Sequence, residues 1–193
     1  MLKKVLLLAV LALALPLAAF ADSSIDVTNK GGVISGNSSG LSLSGSTLIS
    51  YGSAVGTNLG SVSFTTGAFT SGSAAGGGTL AAGGSFQIVG NGTNGVPNGV
   101  IFSGTFSSGT WTLITLANGT HNYVLNAGVV SAGGEVAATT QITVNTGKGF
   151  FDGSAKLSSG DTNLAVPEPG TLSLFGTGLI GLAGIIRRKL SLS

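Results

Sequence analysis

The chain has 193 residues, with eight basic and six acidic side chains, one histidine and no cysteine. The lack of cysteine excludes disulfide frameworks, thiol redox centres and Cys-ligated zinc or iron–sulfur sites. A single histidine likewise excludes metal sites built from several His ligands. The sequence therefore predicts no metal centre and no cofactor.

Most of the basic residues lie at the two ends of the chain, as Lys3 and Lys4 and as Arg187, Arg188 and Lys189. Residues 22–165 contain three lysines and five acidic residues, and 3 minus 5 gives a net charge of −2. These residues are Lys30, Lys148, Lys156, Asp22, Asp26, Glu135, Asp152 and Asp161. Because the body has no basic patch to neutralise phosphates, we expect no nucleic-acid partner.

Residues 1–21 have the three parts of a secretory signal peptide. Lys3 and Lys4 precede an apolar run, Pro16 breaks the helix, and Ala19-Phe20-Ala21 forms an A-x-A cleavage site. An uncleaved anchor is the alternative, but a membrane span needs about 20 apolar residues. We therefore predict export by the Sec machinery, cleavage after Ala21 and a mature chain that begins at Asp22.

Residues 22–165 contain 29 Gly, 22 Ser, 18 Thr and 11 Asn, a composition that permits disorder or a loop-rich β-domain. Ten aromatic residues and short runs of alternating apolar residues favour a folded body. The runs are 41–44, 61–65, 85–89, 100–103, 111–116 and 140–144. Since turn residues separate them, we predict an all-β domain, an antiparallel sandwich or jelly roll.

The strongest local signal is Asn118-Gly119 between two apolar runs, which predicts a two-residue type I′ hairpin. Pairing Ala117 with Thr120 sets the register. One face then carries Leu116 opposite His121, Ile114 opposite Tyr123 and Thr112 opposite Leu125. The other face carries Leu113 opposite Val124, Thr115 opposite Asn122 and Trp111 opposite Asn126.

Two sequence motifs resemble catalytic or nucleotide-binding loops. Residues 36–40 match the G-x-S-x-G of a nucleophile elbow, and residues 90–95 match the dinucleotide-binding G-x-G-x-x-G. Both motifs need a following helix, and neither segment is followed by a helical pattern. We interpret both as turns and predict no catalytic residue.

Other reactive side chains are isolated in the sequence. His121 is expected at the rim beside its turn without a catalytic role, and the five acids of the body show no carboxylate-pair or calcium-loop spacing. Folding could still bring two of the acids together. Asn37, Asn91 and Asn118 begin N-x-Ser/Thr glycosylation patterns.

Residues 166–193 form a C-terminal tail with three parts. The tail begins with Val166, Pro167, Glu168 and Pro169, continues with the apolar segment 171–186 and ends with the basic cluster Arg187, Arg188 and Lys189. Sixteen helical residues span about 24 Å, short of a roughly 30 Å hydrocarbon core. The alternative is an interfacial or buried helix. The uncharged segment and its basic end favour a marginal transmembrane helix with the cluster in the cytoplasm.

This tail resembles the PEP-CTERM sorting signal of Gram-negative bacteria, which has a Val-Pro-Glu-Pro motif, a membrane helix and an Arg-rich end. The resemblance implies that Val166 to Pro169 are recognised by exosortase, a membrane protease that cuts near the motif. The transiently anchored chain would then reach the cell surface or extracellular matrix. Carriers of this signal often accompany exopolysaccharide and biofilm genes.

Two hypotheses for the body follow. The first is a non-enzymatic surface or extracellular-matrix protein associated with exopolysaccharide, because Ser, Thr, Asn and Gly surfaces hydrogen-bond to sugar hydroxyls. The alternative is a carbohydrate-binding module or glycan-acting enzyme with Trp111, Tyr51 or Tyr123 as stacking platforms.

Changing Pro167, Glu168 and Pro169 together to Ala tests the sorting signal. Insertion should persist, since the apolar segment and basic cluster are untouched, but the uncut chain should accumulate in the inner membrane. Mass spectrometry of surface and membrane fractions distinguishes the two forms. Deletion of 187–189 is the companion variant and should disturb insertion itself. Wild-type cutting and release of the triple-alanine chain would contradict the hypothesis.

Overall fold

The computed structural model describes residues 24–131 and 136–165, which form eleven β-strands. They are β1 (Ser24–Lys30), β2 (Val33–Asn37), β3 (Gly40–Tyr51), β4 (Ala54–Thr66), β5 (Phe69–Ser73), β6 (Gly77–Leu80), β7 (Gly83–Asn91), β8 (Asn98–Thr115), β9 (His121–Val130), β10 (Val136–Gly147) and β11 (Ser154–Ala165). The predicted all-β fold is confirmed, and each predicted apolar run falls on a strand except for Leu116, which follows the end of β8.

All strands pair antiparallel in one sheet, and eight of them form a closed circuit. The order is β8, β7, β4, β3, β1, β11, β10 and β9, and β9 pairs again with β8. Neighbours in the circuit are mostly neighbours in sequence, while the first strand joins the last through Ser24 and Ala165. The closed circuit removes most of the unpaired edges that an open sheet would expose.

Two short insertions extend the circuit at one end. The strand β2 lies between β3 and the start of β11, while the hairpin β5–β6 interrupts the path from β4 to β7. The strand β6 pairs with β8 at residues 109–111, beyond the part of β8 that pairs with β7. The first half of β8 therefore has β7 beside it, and the second half lies between β6 and β9.

Inward side chains alternate with outward ones, as the period of a half-buried strand requires. Phenylalanines fill the middle of the core, where Phe64, Phe86 and Phe106 meet with ring centroids 5.5–6.4 Å apart. Trp111 and Tyr123 stack at 5.2 Å, and Phe151 meets Trp111 edge-on at 5.8 Å. Six of the ten aromatic residues that favoured a folded body are thus buried in its core.

The buried polar atoms of Trp111 and Tyr123 bind main-chain groups of two loops. The Trp111 Nε1–H donates to the Ala74 carbonyl at 2.8 Å, and the Tyr123 hydroxyl donates to the Ala75 carbonyl at 2.6 Å. The same hydroxyl accepts the Phe151 N–H at 3.0 Å. These two side chains therefore attach the β5–β6 turn and the β10–β11 loop to the core.

The predicted register of the β8–β9 hairpin is wrong by one residue. The structure pairs Thr115 with His121, Leu113 with Tyr123 and Trp111 with Leu125. A one-residue change of register reverses which side chains of one strand share a face with those of its partner. Trp111, Tyr123 and Leu125 consequently share the inward face, while Ile114 and Leu116 remain exposed.

The turn itself explains the error. The Gly119 N–H donates to the Leu116 carbonyl at 2.9 Å, and the Leu116 N–H donates to the Thr120 carbonyl at 2.8 Å. This pattern describes a three-residue loop, a type I turn followed by Gly119 at φ +79°. A type I′ turn would need positive φ at Asn118 as well, and Asn118 does not adopt it. Its Oδ1 instead accepts the Thr120 N–H.

The signal peptide at 1–21 and the predicted transmembrane helix at 171–186 lie outside the described residues, as do both cleavage regions. Within 24–131 and 136–165, no helix is long and apolar enough to span a membrane. Residues 24–165 constitute one compact unit by their internal contacts.

Replacing Tyr123 by Phe should lower the free energy of unfolding by about 1–3 kcal/mol, because the Phe151 N–H and the Ala75 carbonyl would lose their partner. Tyr51→Phe is the matched control: this half-buried hydroxyl has no hydrogen bond to the residues that the structure describes, so its effect should stay within about 0.5 kcal/mol. Urea unfolding of residues 22–165, monitored by tryptophan fluorescence, measures the free energy of unfolding of both variants. Equal midpoints for the two variants would contradict the structural role of the Tyr123 hydroxyl.

Replacing Gly119 by Val should destabilise the body by roughly 1–3 kcal/mol, because a β-branched residue is strained at positive φ. A Cβ at this position would contact nothing within 4 Å, so the loss would report backbone conformation alone. Asn tolerates this conformation, and Gly119→Asn should therefore lose less. Thermal melts compare the variants, and identical melting temperatures for Val and Gly would contradict the observed turn.

Candidate functional site

The residues predicted for processing lie outside the described part of the chain. They are Ala19 and Ala21 at the signal cleavage site, Val166, Pro167, Glu168 and Pro169 in the sorting motif, and Arg187, Arg188 and Lys189 in the basic cluster. The structure describes the strand residues that adjoin them. Because Ser24 pairs with Ala165, the first and last described residues are neighbours on adjacent strands.

The G-x-S-x-G segment forms the β2–β3 hairpin rather than a strand-to-helix elbow. Asn37 pairs with Gly40, so Ser38 and Ser39 make a two-residue turn. The Asn37 Oδ1 accepts the Ser39 N–H at 2.8 Å, and the Ser38 carbonyl accepts the Phe69 N–H at 3.3 Å. These contacts give the segment a structural role, as the sequence predicted.

The G-x-G-x-x-G segment forms the β7–β8 loop, again as predicted. Asn94 has φ +52°, and its Nδ2 donates to the Val55 carbonyl at 3.2 Å, while Asn91 Nδ2 donates to the Asn58 carbonyl at 2.9 Å. Val96 packs into the core with 3% exposure. The loop therefore covers the start of β4, and no helix follows to receive a pyrophosphate.

All three N-x-Ser/Thr patterns form Asx turns. The Oδ1 atoms of Asn37, Asn91 and Asn118 each accept the backbone N–H two residues later, at 2.8–3.1 Å. Asn side chains stabilise turns in this way without any modification. The frequency of Asn in the body thus follows partly from the need to end its strands.

His121 lies beside its turn as predicted, but opposite Thr115 and with only 9% exposure. Its Nδ1 is 3.0 Å from the Thr115 hydroxyl, and its ring stacks on Phe150 at 4.4 Å. Both contacts fix the imidazole in the wall of the fold. The described residues contain no group of three or more His, Asp and Glu side chains suited to a metal.

The proposed aromatic platforms are wrong for two of the three residues. Trp111 is 1% exposed and Tyr123 is fully buried, and both use their polar atoms inside the fold. Tyr51 is half-buried and packs against the core. A sugar ring cannot stack on Trp111 or Tyr123 while the body is folded, because the hairpin register turns both side chains inward.

A depression of about 800 Å³ lies on the outer face of the sheet. We call it the polar groove. Its lining comes from seven strands, β1, β11, β10, β9, β8, β6 and β5, and includes Asp26, Thr79, Asn126, Gln141, Asp161 and Asn163. Its lining side chains therefore include hydroxyl, amide and carboxylate groups, together with the apolar Leu80 and Ala127.

Strand pairing aligns these groups across the sheet. One polar residue from each of the seven strands lies in register, in the order Thr28, Asp161, Gln141, Asn126, Thr110, Thr79 and Ser71. The five between Thr28 and Ser71 line the groove. We call this the polar row. Neighbouring strands are about 4.8 Å apart, so its six intervals extend about 29 Å. The outward face thus presents a polar group on each successive strand, across five strands of the circuit and the β5–β6 hairpin.

Hydrogen bonds between neighbours hold several of these side chains in place. The Gln141 Nε2–H donates to Asn126 Oδ1 at 2.9 Å, between β10 and β9. The Thr79 hydroxyl lies 2.7 Å from those of both Ser71 and Thr70. An amide has two donors and one acceptor oxygen, so one bond leaves capacity for a ligand. Binding would then cost less side-chain entropy.

The groove also joins two carboxylates that the sequence showed only as scattered acids. Asp26 pairs with Asn163, two residues beyond Asp161 on β11, so the two acids are diagonal neighbours on adjacent strands. Both are exposed. The sequence did not predict this groove, although its signal was present in the polar positions that alternate with buried residues on β9, β10 and β11.

One family model matches the chain, the PEP-CTERM protein-sorting motif at residues 165–189. The matched range contains the Val-Pro-Glu-Pro motif, the apolar segment and the basic cluster predicted from sequence, and it begins at the last residue of β11. Comparison with curated proteins and with solved structures finds no match. The chain is therefore a protein with a PEP-CTERM sorting motif, which marks it for export and for sorting through exosortase.

Proposed function

We propose that the body is a non-enzymatic protein of the cell surface or extracellular matrix and that its polar groove binds exopolysaccharide. The sorting motif supports the location, since it implies an exported chain that is sorted through exosortase. The polar row supports the second part, and it is the observation that carries the proposal. Polysaccharide hydroxyls both donate and accept hydrogen bonds, as do the amides and hydroxyls of the row.

The form of the groove suits a polymer better than a small molecule. Small-molecule sites are concave and enclose most of the surface of their ligand. The polar groove is shallow, and its polar groups continue across seven strands. Each contact is weak in water, at about 0.5–1.5 kcal/mol, so useful affinity requires many contacts along an extended ligand. A protein embedded in a matrix would also meet many chains at once.

Glycan hydrolysis is the second candidate, because Asp26 and Asp161 both line the groove. Glycosidases use two carboxyl groups, one of which must hold a proton in an apolar, desolvated setting. Both acids are exposed on a sheet surface, which does not supply that setting. We therefore rank binding ahead of catalysis.

Replacing Asn126 and Gln141 together by Ala tests the proposed site. The full-length chain in detergent, immobilised for biolayer interferometry, should bind at least one of soluble cellulose derivatives, dextran, chitosan and alginate. The double variant should weaken that binding roughly tenfold, since it removes two polar side chains from the centre of the row. Both residues are exposed, so the fold should persist.

Ser63→Ala with Gln87→Ala provides the matched control. These two exposed residues pair across β4 and β7, outside the groove. Binding should stay at the wild-type level in this variant. Equal loss in both double variants, or no binding by the wild type, would contradict the proposal. Release of reducing ends that is abolished by Asp161→Asn would favour hydrolysis instead.

A further inference from the structure

We infer that the polar groove selects linear polysaccharides without negative charge, that is, neutral chains or chains bearing amines. This inference rests on the proposed binding function and adds the chemical class of the ligand. Three observations carry it: the sign of the charges that line the groove, the positions of the lysines, and the regular spacing of the polar row.

The charged side chains lining the groove are both acidic. Asp26 and Asp161 lie on adjacent strands, β1 and β11, on the wall opposite β5 and β6. A carboxylate on a bound sugar would meet like charge there. Two unit charges 4 Å apart in water interact by an energy equivalent to about a fivefold change in affinity, and partial exclusion of water strengthens that repulsion.

The lysines of the described residues lie outside the groove. Lys30, Lys148 and Lys156 are exposed, and none of them lines the groove. Lys30 lies two residues after Thr28 on the outward face of β1, as Asp26 lies two residues before it, so Lys30 flanks the end of the row without lining the groove. Lys148 lies in the β10–β11 connection, and Lys156 pairs with Val33 of β2 at the far part of β11. An acidic polymer would therefore find no counter-charge in the groove.

The spacing of the row favours a linear chain. Polar groups recur about every 4.8 Å across the strands, which is close to the length of one sugar unit in an extended polymer. A chain that crosses the strands would meet a hydroxyl, amide or carboxylate group on each strand. Hydroxyls would accept from the Asn126 amide and donate to Asp161, and an amine on the sugar would gain a charge-assisted bond to either carboxylate.

Three polymers with the same type of β-linked backbone test the selection. Hydroxyethyl cellulose is neutral, carboxymethyl cellulose is anionic and chitosan carries amines. Biolayer interferometry on the full-length chain in detergent should give at least fivefold weaker binding to carboxymethyl cellulose than to hydroxyethyl cellulose, with chitosan equal to the neutral polymer or tighter. The difference should shrink at 1 M salt, where exposed charges are screened beyond about 3 Å.

Asp26→Asn with Asp161→Asn supplies the decisive variant. Binding of carboxymethyl cellulose should rise to the level of the neutral polymer, because the amides keep hydrogen bonds and lose the charge. Asp152→Asn is the control, since this exposed carboxylate lies outside the groove, and it should change nothing. Wild-type binding to the anionic polymer that equals or exceeds the neutral one would overturn the selection and leave the binding function intact. An unchanged preference in the Asn variant would overturn it as well. If the wild type bound none of the three polymers, both the selection and the proposed binding function would be overturned.

Discussion

The rest of the body depends on the pairing of β8, whose first half pairs with β7 and whose second half pairs with β9 and β6. This strand pairs with β7 through residue 106 and with β9 from residue 105, so one continuous strand joins the two ends of the sheet. A bulge between Phe106 and Ser108 accommodates the change. Trp111 then enters the core beside Tyr123, and their two polar atoms attach the neighbouring loops.

The same closure creates the outer groove. Strands β1 and β11, from the two ends of the body, meet in the circuit beside β10, β9 and β8, and the β5–β6 hairpin extends the surface. Inward positions take the apolar side chains, so outward positions of these strands hold Thr, Asn, Gln and Asp in register. The alternation of inward and outward side chains therefore both buries Trp111 and Tyr123 and exposes the polar row. For the proposed binding of polysaccharide, this favours hydrogen bonding over aromatic stacking.

The low charge of the body fits this mode of recognition. Few charges leave hydroxyls and amides as the main polar groups of the surface, and these bind weakly one at a time. In the proposed binding, the two acids of the groove would contribute selection more than affinity, because repulsion of a wrong ligand needs no precise contact. The sorting motif is separate in both sequence and chemistry: it begins where β11 ends and acts on where the chain is delivered.

The sequence by itself determined the features that are local or linear. Alternating runs such as 140–144 predicted strands because burial on one face has a period of two, and the tail was recognisable because its motif is a continuous segment. The Asn118-Gly119 turn was ambiguous, since that dipeptide suits a two-residue or a three-residue loop, and one residue of register decides which face carries Trp111. Only the tertiary structure settled that register, through the core contacts of Trp111 with Tyr123. It also placed Asp26 beside Asp161, because strand pairing between distant segments depends on the closure of the whole sheet and leaves no local pattern.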